Sequence, residues 1–542
     1  MKEAARTAAA PERERVIEAA PARAGIRLQA FAVCGVFLIL ALRALVLSVS
    51  GDPVRPAAAG APAPIVSRAD LTDRTGALMA ANVRGYTLIA EPANVWDADE
   101  AARALRTIFP ELDANAVAAR MRRTNRQVVY LRQGLSPRQR AQVLELGLAG
   151  VGFEQAERRV YPMGTLGAHA LGYVGRDLAP LAGLERGLNA RIEAAGRTGG
   201  AVRLSLDARI QYAVESELAA AARAHNATGA AAVVLDGRTG ETLALASWPS
   251  FDPNRAGAAN DNARLNRAVA ARFEMGSTLK PFTVAMALEE RLTSLDETFN
   301  LAAPFAVDGQ PIRDLHPILG PARLREIIAQ SSNIGAARLA LRVGATRQHS
   351  YLSRLGLMAA APIELAESAA PIAPARTDRL SVAILGYGHG LAITLTSLAG
   401  AYTVFTNDGA RVAPTLLARA PGEPITRTRV FSPGVTRSVV ALMRAAVTEG
   451  TGRRADAPGL EMAGKTGTAE KPGAAGYDVE RMLSSFAGVF PASDPRYVIV
   501  LALDEPRRTN AADPTTGGAV AAPVVGRIAA RIAPALGLTP RP

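Results

Sequence analysis

Residues 28–49 read LQAFAVCGVFLILALRALVLSV, and no other stretch limits so strongly what this chain can become. As a helix at ~1.5 Å per residue, the run would reach roughly 33 Å, enough to cross the hydrocarbon core of a bilayer. Arg43 stands near its far end, where a long side chain can snorkel to the headgroups. Arg23 and Arg27 precede the run, and basic residues set orientation. This predicts a cytoplasmic tail over 1–26, a transmembrane helix over 27–49 and a periplasmic remainder, held as a single pass in the inner membrane. A cleaved signal peptide is the alternative. The run is too long for one and no A-x-A site follows at once, so a retained anchor is expected. Cys34, the single cysteine, falls inside the run, which rules out an internal disulfide framework and a cysteine-based zinc site.

The rest of the 542 residues has the balance of a globular chain, 49% hydrophobic and 20% charged. A net charge of +13 admits nucleic acid, an anionic surface or an acidic polymer as partner. Basic residues form no runs and aromatics are only 5%, too few for base-stacking platforms, so nucleic acid is set aside. The five histidines form no HxxxH or HxH pair, and neither a metal nor a cofactor is expected. Residues 50–66 contain DPVRPAAAGAPAP, a stiff Pro/Ala linker. A mixed α+β segment follows over 67–200, with a DRTG turn and short helices at Ala101–Phe109, Ala116–Arg123 and Pro137–Leu146. A last domain over 201–542 opens with a helix at Leu206–Ala224 and the hairpin AAVVLD-GRTG-ETLALASWP. It ends with strands SSFAGVF and YVIVLAL and a helix at Pro523–Leu536. Strands at both ends with helices between predict one antiparallel sheet whose first and last elements pair.

Three short patterns carry chemistry. Ser277 and Lys280 lie three apart before an apolar helical run, and Pro281 is tolerable only in a first turn, so Ser277 belongs at a helix N-terminus. Backbone N–H groups there can hold an oxyanion, and a desolvated lysine can take a hydroxyl proton. Alone, the pattern reads more readily as an N-cap. Ser331-Ser332-Asn333 is equally good capping sequence; as chemistry, Ser331 would shuttle a proton and Asn333 would bind a substrate amide. Lys465-Thr466-Gly467-Thr468 reads as an edge strand offering a cation and hydroxyls to an anionic group, with Gly467 permitting close backbone approach. Gly459 to Thr466 also fits the P-loop spacing. The preceding RRADAP is no strand and the following AEKPGAAGY is no helix, so that reading is rejected.

In the order SxxK, SxN, KTG, separated by 54 and 134 residues, the three become a strong joint signal. The chain resembles the class B penicillin-binding proteins, the monofunctional transpeptidases. The likeness extends to Arg68, Asp70, Asp73, Arg74 and Gly76, to RRVYPMG at 158–164, to Gly183-Leu184-Glu185 and to VTEGTGRRADAPG. FEMGSTLKP looks most like the division-specific member. Ala69 and Met275 depart from the Gly and Pro common there, and neither touches a reacting group. The resemblance implies an anchor, an elongated stalk or pedestal of the dimerisation type, and a penicillin-binding domain with a central antiparallel sheet and helices on both sides. It implies Ser277 as nucleophile, Lys280 as its base, and Ser331 and Asn333 as relay and substrate guide. Lys465, Thr466, Gly467 and Thr468 would bind the substrate, the N–H groups of Thr468 and Ser277 holding the oxyanion. The expected substrates are peptidoglycan stem peptides on lipid II-derived glycan strands, with β-lactams as traps. The expected partners are the membrane, a membrane glycan polymerase and divisome proteins. The resemblance leaves three other readings: an elongation-type transpeptidase, a β-lactam hydrolase or sensor, and a non-catalytic scaffold. In the stalk, Arg68, Asp73, Arg74, Arg158 and Glu185 are expected to form a buried ion-pair lattice. Tyr387-Gly388-His389-Gly390 is expected beside the substrate.

Overall fold

The computed structural model describes residues 33–41, 68–473, 476–508 and 514–539. The expected cytoplasmic tail and linker lie outside the described residues, as does the expected membrane span apart from 33–41, which are helical. Among the described residues no helix is long and apolar enough to cross a membrane.

Residues 68–203 build a mixed sheet from β1 (Asp70–Thr72), β2 (Leu78–Ala90), β3 (Val129–Leu135), β4 (Val151–Val160) and β5 (Ala201–Arg203). β2 pairs antiparallel with β1, β3 and β4, while β5 runs parallel to β1. The DRTG turn joins β1 to β2, with Asp73 N–H donating to Ala77 O and Gly76 at φ +94°. Three helices pack here: α1 (Ala98–Ile108), α2 (Ala114–Met121) and α3 (Pro137–Glu145). Local sequence starts each of them. Asp97 and Asp113 cap the first two, and Ser136 with Gln139 forms a capping box at the third, which has proline in its first turn. Leu88, Leu105, Phe109 and Val117 close a small core between sheet and helices.

The larger sheet follows the expected pairing. Its order is β8 (Ala463–Gly473), β9 (Gly476–Phe490), β10 (Tyr497–Asp504), β6 (Gly229–Asp236) and β7 (Thr242–Trp248), antiparallel throughout. β10, nearly the last element, therefore pairs with β6, the sheet's first in sequence. Strand periodicity of two explains the layers. Tyr497, Ile499, Leu501 and Leu503 face one core with α4 (Ala208–Ala224) and the C-terminal helix α8 (Ala521–Ile532). Val498, Val500 and Ala502 face the other, with α5 (Lys280–Glu289), α6 (Asn333–Val343) and α7 (Pro433–Thr448). Helices thus cover both faces of the sheet.

The second core is continuous with Leu71 and Met79 of the smaller sheet. Beside it lies the ion-pair lattice. Glu185, fully buried, takes Arg68 Nη2 at 2.6 Å on one oxygen and Arg159 Nε at 2.6 Å on the other. Arg159 Nη1 also donates to Ala69 O at 2.8 Å. Asp73 accepts from the Ala208 N–H at 3.0 Å at the start of α4, and Arg74 stands 3.7 Å from Glu241. Two expected members are corrected. Asp73 takes its hydrogen bonds from Thr75, Ala77 and Ala208 and, among the described residues, makes no ion pair. Arg158 is exposed and its neighbour Arg159 makes the ion pair, because adjacent residues of β4 point to opposite faces of the sheet.

Candidate active site

Gly276–Leu279 forms a single 3-10 turn that runs directly into α5, with Pro281 in the first turn of that helix. Gly276 has φ +53°, and its N–H donates to Gly388 O at 3.1 Å. A Cβ on Gly388 would lie 1.9 Å from Gly276 O, so only glycine lets the Tyr387–Gly390 loop support this turn. From the core side, the Tyr402 hydroxyl donates to Thr278 O at 2.7 Å. Ser277 is held by this frame while remaining partly exposed. Lys280, one turn on, is fully buried.

Lys280 Nζ reaches three acceptors: Ser331 O at 2.5 Å, Ser331 Oγ at 3.1 Å and Asn333 Oδ1 at 2.8 Å. Ser331 adopts φ +65°, a left-handed conformation uncommon for a residue with a side chain. That turn directs both its carbonyl and its hydroxyl at the amine. Asp314 fixes the loop at the start of α6. Its carboxylate accepts from the N–H groups of Asn333 and Ile334 and from Ser332 Oγ, and Ser332 in turn caps the helix through Gly335 N. Burial, with the nearby Lys465 cation, holds the Lys280 pKa well below its ordinary value, and Asp314 opposes that shift.

Lys465, Thr466, Gly467 and Thr468 lie on β8, the edge strand of the sheet. Because β8 continues as a strand after Lys465, the P-loop geometry is absent here. Lys465 Nζ donates to Thr466 O at 3.1 Å and to Thr466 Oγ1 at 3.3 Å; burial lowers its pKa to about 7. Thr466 Oγ1 shares a 2.8 Å hydrogen bond with Thr451 Oγ1, and Thr468 Oγ1 accepts from Gly517 N at 3.0 Å. A Cβ on Gly467 would stand 2.3 Å from Ser485 Oγ and 2.6 Å from Met275 O, so the glycine permits strand and serine turn to close on each other.

Ser277, Ser331, Asn333, Thr466 and Thr468 line one cleft of about 380 Å³, whose wall also includes His389. Lys280 and Lys465 stand buried behind it, and the backbone of Gly467 packs against the serine turn. All eight residues singled out in the sequence are therefore brought together. Chemically, the place offers a partly exposed hydroxyl at a helix start, an amine of depressed pKa, and an edge strand with hydroxyls. Sequence reading missed Asp314, Thr451 and Gly517. Asp314 lies in a stretch without periodicity, 18 residues before Ser332, and nothing in its local sequence marks it. Glu274, close to the cleft, accepts from Gly390 N at 3.0 Å and stands 3.5 Å from His389 Nδ1.

Residues 230–530 match the penicillin binding protein transpeptidase domain, and residues 65–199 match the penicillin-binding protein dimerisation domain. The chain is 41% identical to the probable peptidoglycan D,D-transpeptidase FtsI of Caulobacter vibrioides, covering 87% of this chain and 82% of the relative. It is 30% identical to the peptidoglycan D,D-transpeptidase FtsI of Escherichia coli, covering 85% of this chain and 82% of the relative. The crystal structure of penicillin binding protein 3 from Mycobacterium tuberculosis, complexed with aztreonam, superposes with a TM-score of 0.69 at 26% identity. That match covers 88% of this chain and 97% of the other. By both domain matches and by its likeness to these relatives along most of their length, the chain belongs to the class B penicillin-binding proteins.

Proposed function

We propose that this chain is a peptidoglycan D,D-transpeptidase of septal wall synthesis, anchored by residues 27–49 with residues 201–542 as its periplasmic catalytic domain and 67–200 as its stalk. The observation that carries this reading is the trio Ser277, Lys280 and Ser331. An amine whose pKa burial holds well below its ordinary value sits one turn behind a cleft-facing hydroxyl and within 3.1 Å of a second one. The terminal carboxylate of a D-Ala-D-Ala peptide rests on Lys465, Thr466 and Thr468. The penultimate carbonyl lies over Ser277, its oxygen towards the N–H groups of Ser277 and Thr468. Neutral Lys280 donates its two N–H groups to Ser331 O and Asn333 Oδ1, which leaves its lone pair for the Ser277 proton. Ser277 Oγ attacks the carbonyl carbon and the C–N bond to the terminal D-Ala breaks. The proton passes by way of Ser331 to the leaving amine. An acceptor amine from a second strand then attacks the ester: its N–C bond forms, the Oγ–C bond breaks and Ser277 regains its proton. A peptide bond is made for each one broken, so no nucleotide is consumed. Glycan polymerisation falls to a membrane partner, and the names of the relatives support a place among division proteins.

The test is release of D-alanine with formation of a new cross-link from a pentapeptide donor, comparing the native chain with Ser277→Ala. Release by the native chain and none by the variant is expected; equal release by both would refute the assignment. Depletion in cells should yield filaments. Rounded cells would assign the same chemistry to elongation.

A further inference from the structure

The cleft wall has a charge that the reaction leaves unused. Besides the hydroxyls it contains Arg453, Arg454, His316 and His389, and among the described residues that line it there is no carboxylate. Lys465 suffices for the terminal carboxylate of a peptide, yet both arginines stand exposed at the rim. Among the described residues neither guanidinium makes a hydrogen bond or an ion pair. They are not on a loose loop. They open a 3-10 turn at Arg453–Ala455 that follows Gly450-Thr451-Gly452. Thr451 N donates to Ala329 O at 3.0 Å, close before the Ser331 loop, and Thr451 Oγ1 is bonded to Thr466. A Cβ on Gly450 would lie 2.1 Å from Ala329 O, and one on Gly526 of α8 would lie 3.1 Å from Arg454 O. The turn is thus clamped to the Ser331 loop, to β8 and to the C-terminal helix.

From this geometry we infer that Arg453 and Arg454 form an anion subsite that reads a second carboxylate on the peptide, apart from the terminal one. Guanidinium groups suit this task because they stay charged and grip carboxylates through two parallel hydrogen bonds. The subsite makes the protein selective for stem peptides bearing a free acid over those in which that acid is amidated. It rests on the transpeptidase reading above. The carboxylate can belong to the donor strand or to the acceptor strand, and kinetics separate the two.

The full chain is assayed with two donor peptides ending in D-Ala-D-Ala, identical except that the preceding residue carries a free side-chain carboxylate or its carboxamide. The acceptor amine is supplied in the same two forms. For the native chain, kcat/KM for the acid form should exceed that for the amide by about tenfold, the worth of a charge-assisted hydrogen bond. Arg453→Gln with Arg454→Gln should erase that ratio, and Arg453→Lys with Arg454→Lys should restore part of it. A preference seen with the donor alone assigns the subsite to the donor strand. One seen only when the acceptor is varied assigns it to the acceptor strand. Equal rates for acid and amide in both arms, or a ratio that survives the glutamine pair, overturns the inference. Fluorescent penicillin labelling runs beside it. A labelled native chain without acid preference sinks the subsite only, whereas an unlabelled native chain sinks the transpeptidase reading and the subsite together.

Discussion

At the scale of single residues, the site depends on two lysines that are buried yet have different tasks. Lys280 must be neutral to take a proton, and Lys465 must be charged to hold a carboxylate. Burial lowers both, and the cation of Lys465 lowers Lys280 further. Acylation should therefore fall as pH drops and Lys280 takes up a proton. Removing the base in Lys280→Ala should slow acylation by about 10²–10⁴-fold, read as the rate of fluorescent penicillin labelling. The same burial has a stability cost. Lys465 titrates near 7 in the folded chain against 10.5 ordinarily, so between those values the unfolded chain binds the extra proton and stability rises with pH. Lys465→Met should then be more stable than the native chain at pH 6, by on the order of a few kcal/mol. That advantage should vanish towards pH 10. Melting curves across this range check it, and an advantage that grows with pH would contradict it.

At the scale of elements, the site is made by three starts and edges: the turn before α5, the loop before α6 and the edge strand β8. Asp314 holds the second of these. Asp314→Ala removes a group that caps two N–H donors and one hydroxyl. It should destabilise the fold by about 1–3 kcal/mol and release Ser331 from Lys280, seen as a lower melting point and slower acylation. Gly467→Ala would drive a Cβ to within 2.6 Å of Met275 O, which is backbone and cannot swing away. The strand must move from the serine turn, and penicillin labelling should fall about tenfold or more while the sheet still forms. Helices and hairpins were legible because caps, turns and apolar periodicity are local signals. The DRTG and GRTG turns and the start at Ser277 all came from a few adjacent residues. Asp314 was not legible, since a loop carboxylate announces itself only by what it meets in space. Arg159 was missed for Arg158 because a strand's period of two says which residues share a face and leaves open which face is inward.

At the scale of the molecule, the order of the motifs along the chain carried most of the information. SxxK, SxN and KTG are each common capping or turn sequences, and only their succession marked a single cleft. The pairing of β10 with β6 closes the sheet between distant parts of the chain, and so sets β8 at the edge, beside Ser277. The stalk meets this domain where Asp73 accepts from Ala208 N and Arg74 stands beside Glu241, while inside the stalk one fully buried carboxylate, Glu185, answers two arginines. Glu185→Ala would leave both unpaired and should cost about 3–5 kcal/mol, seen as a large fall in melting temperature. Folded protein at 25 °C should still acylate, because the lattice touches no cleft residue. The measurement that bears most directly on the whole account is intact mass after penicillin treatment, followed by peptide mapping. One added penicillin per chain is expected, carried by the peptide containing Ser277 and absent from Ser277→Ala. No adduct on the native chain, or an adduct that persists in the variant, would contradict it.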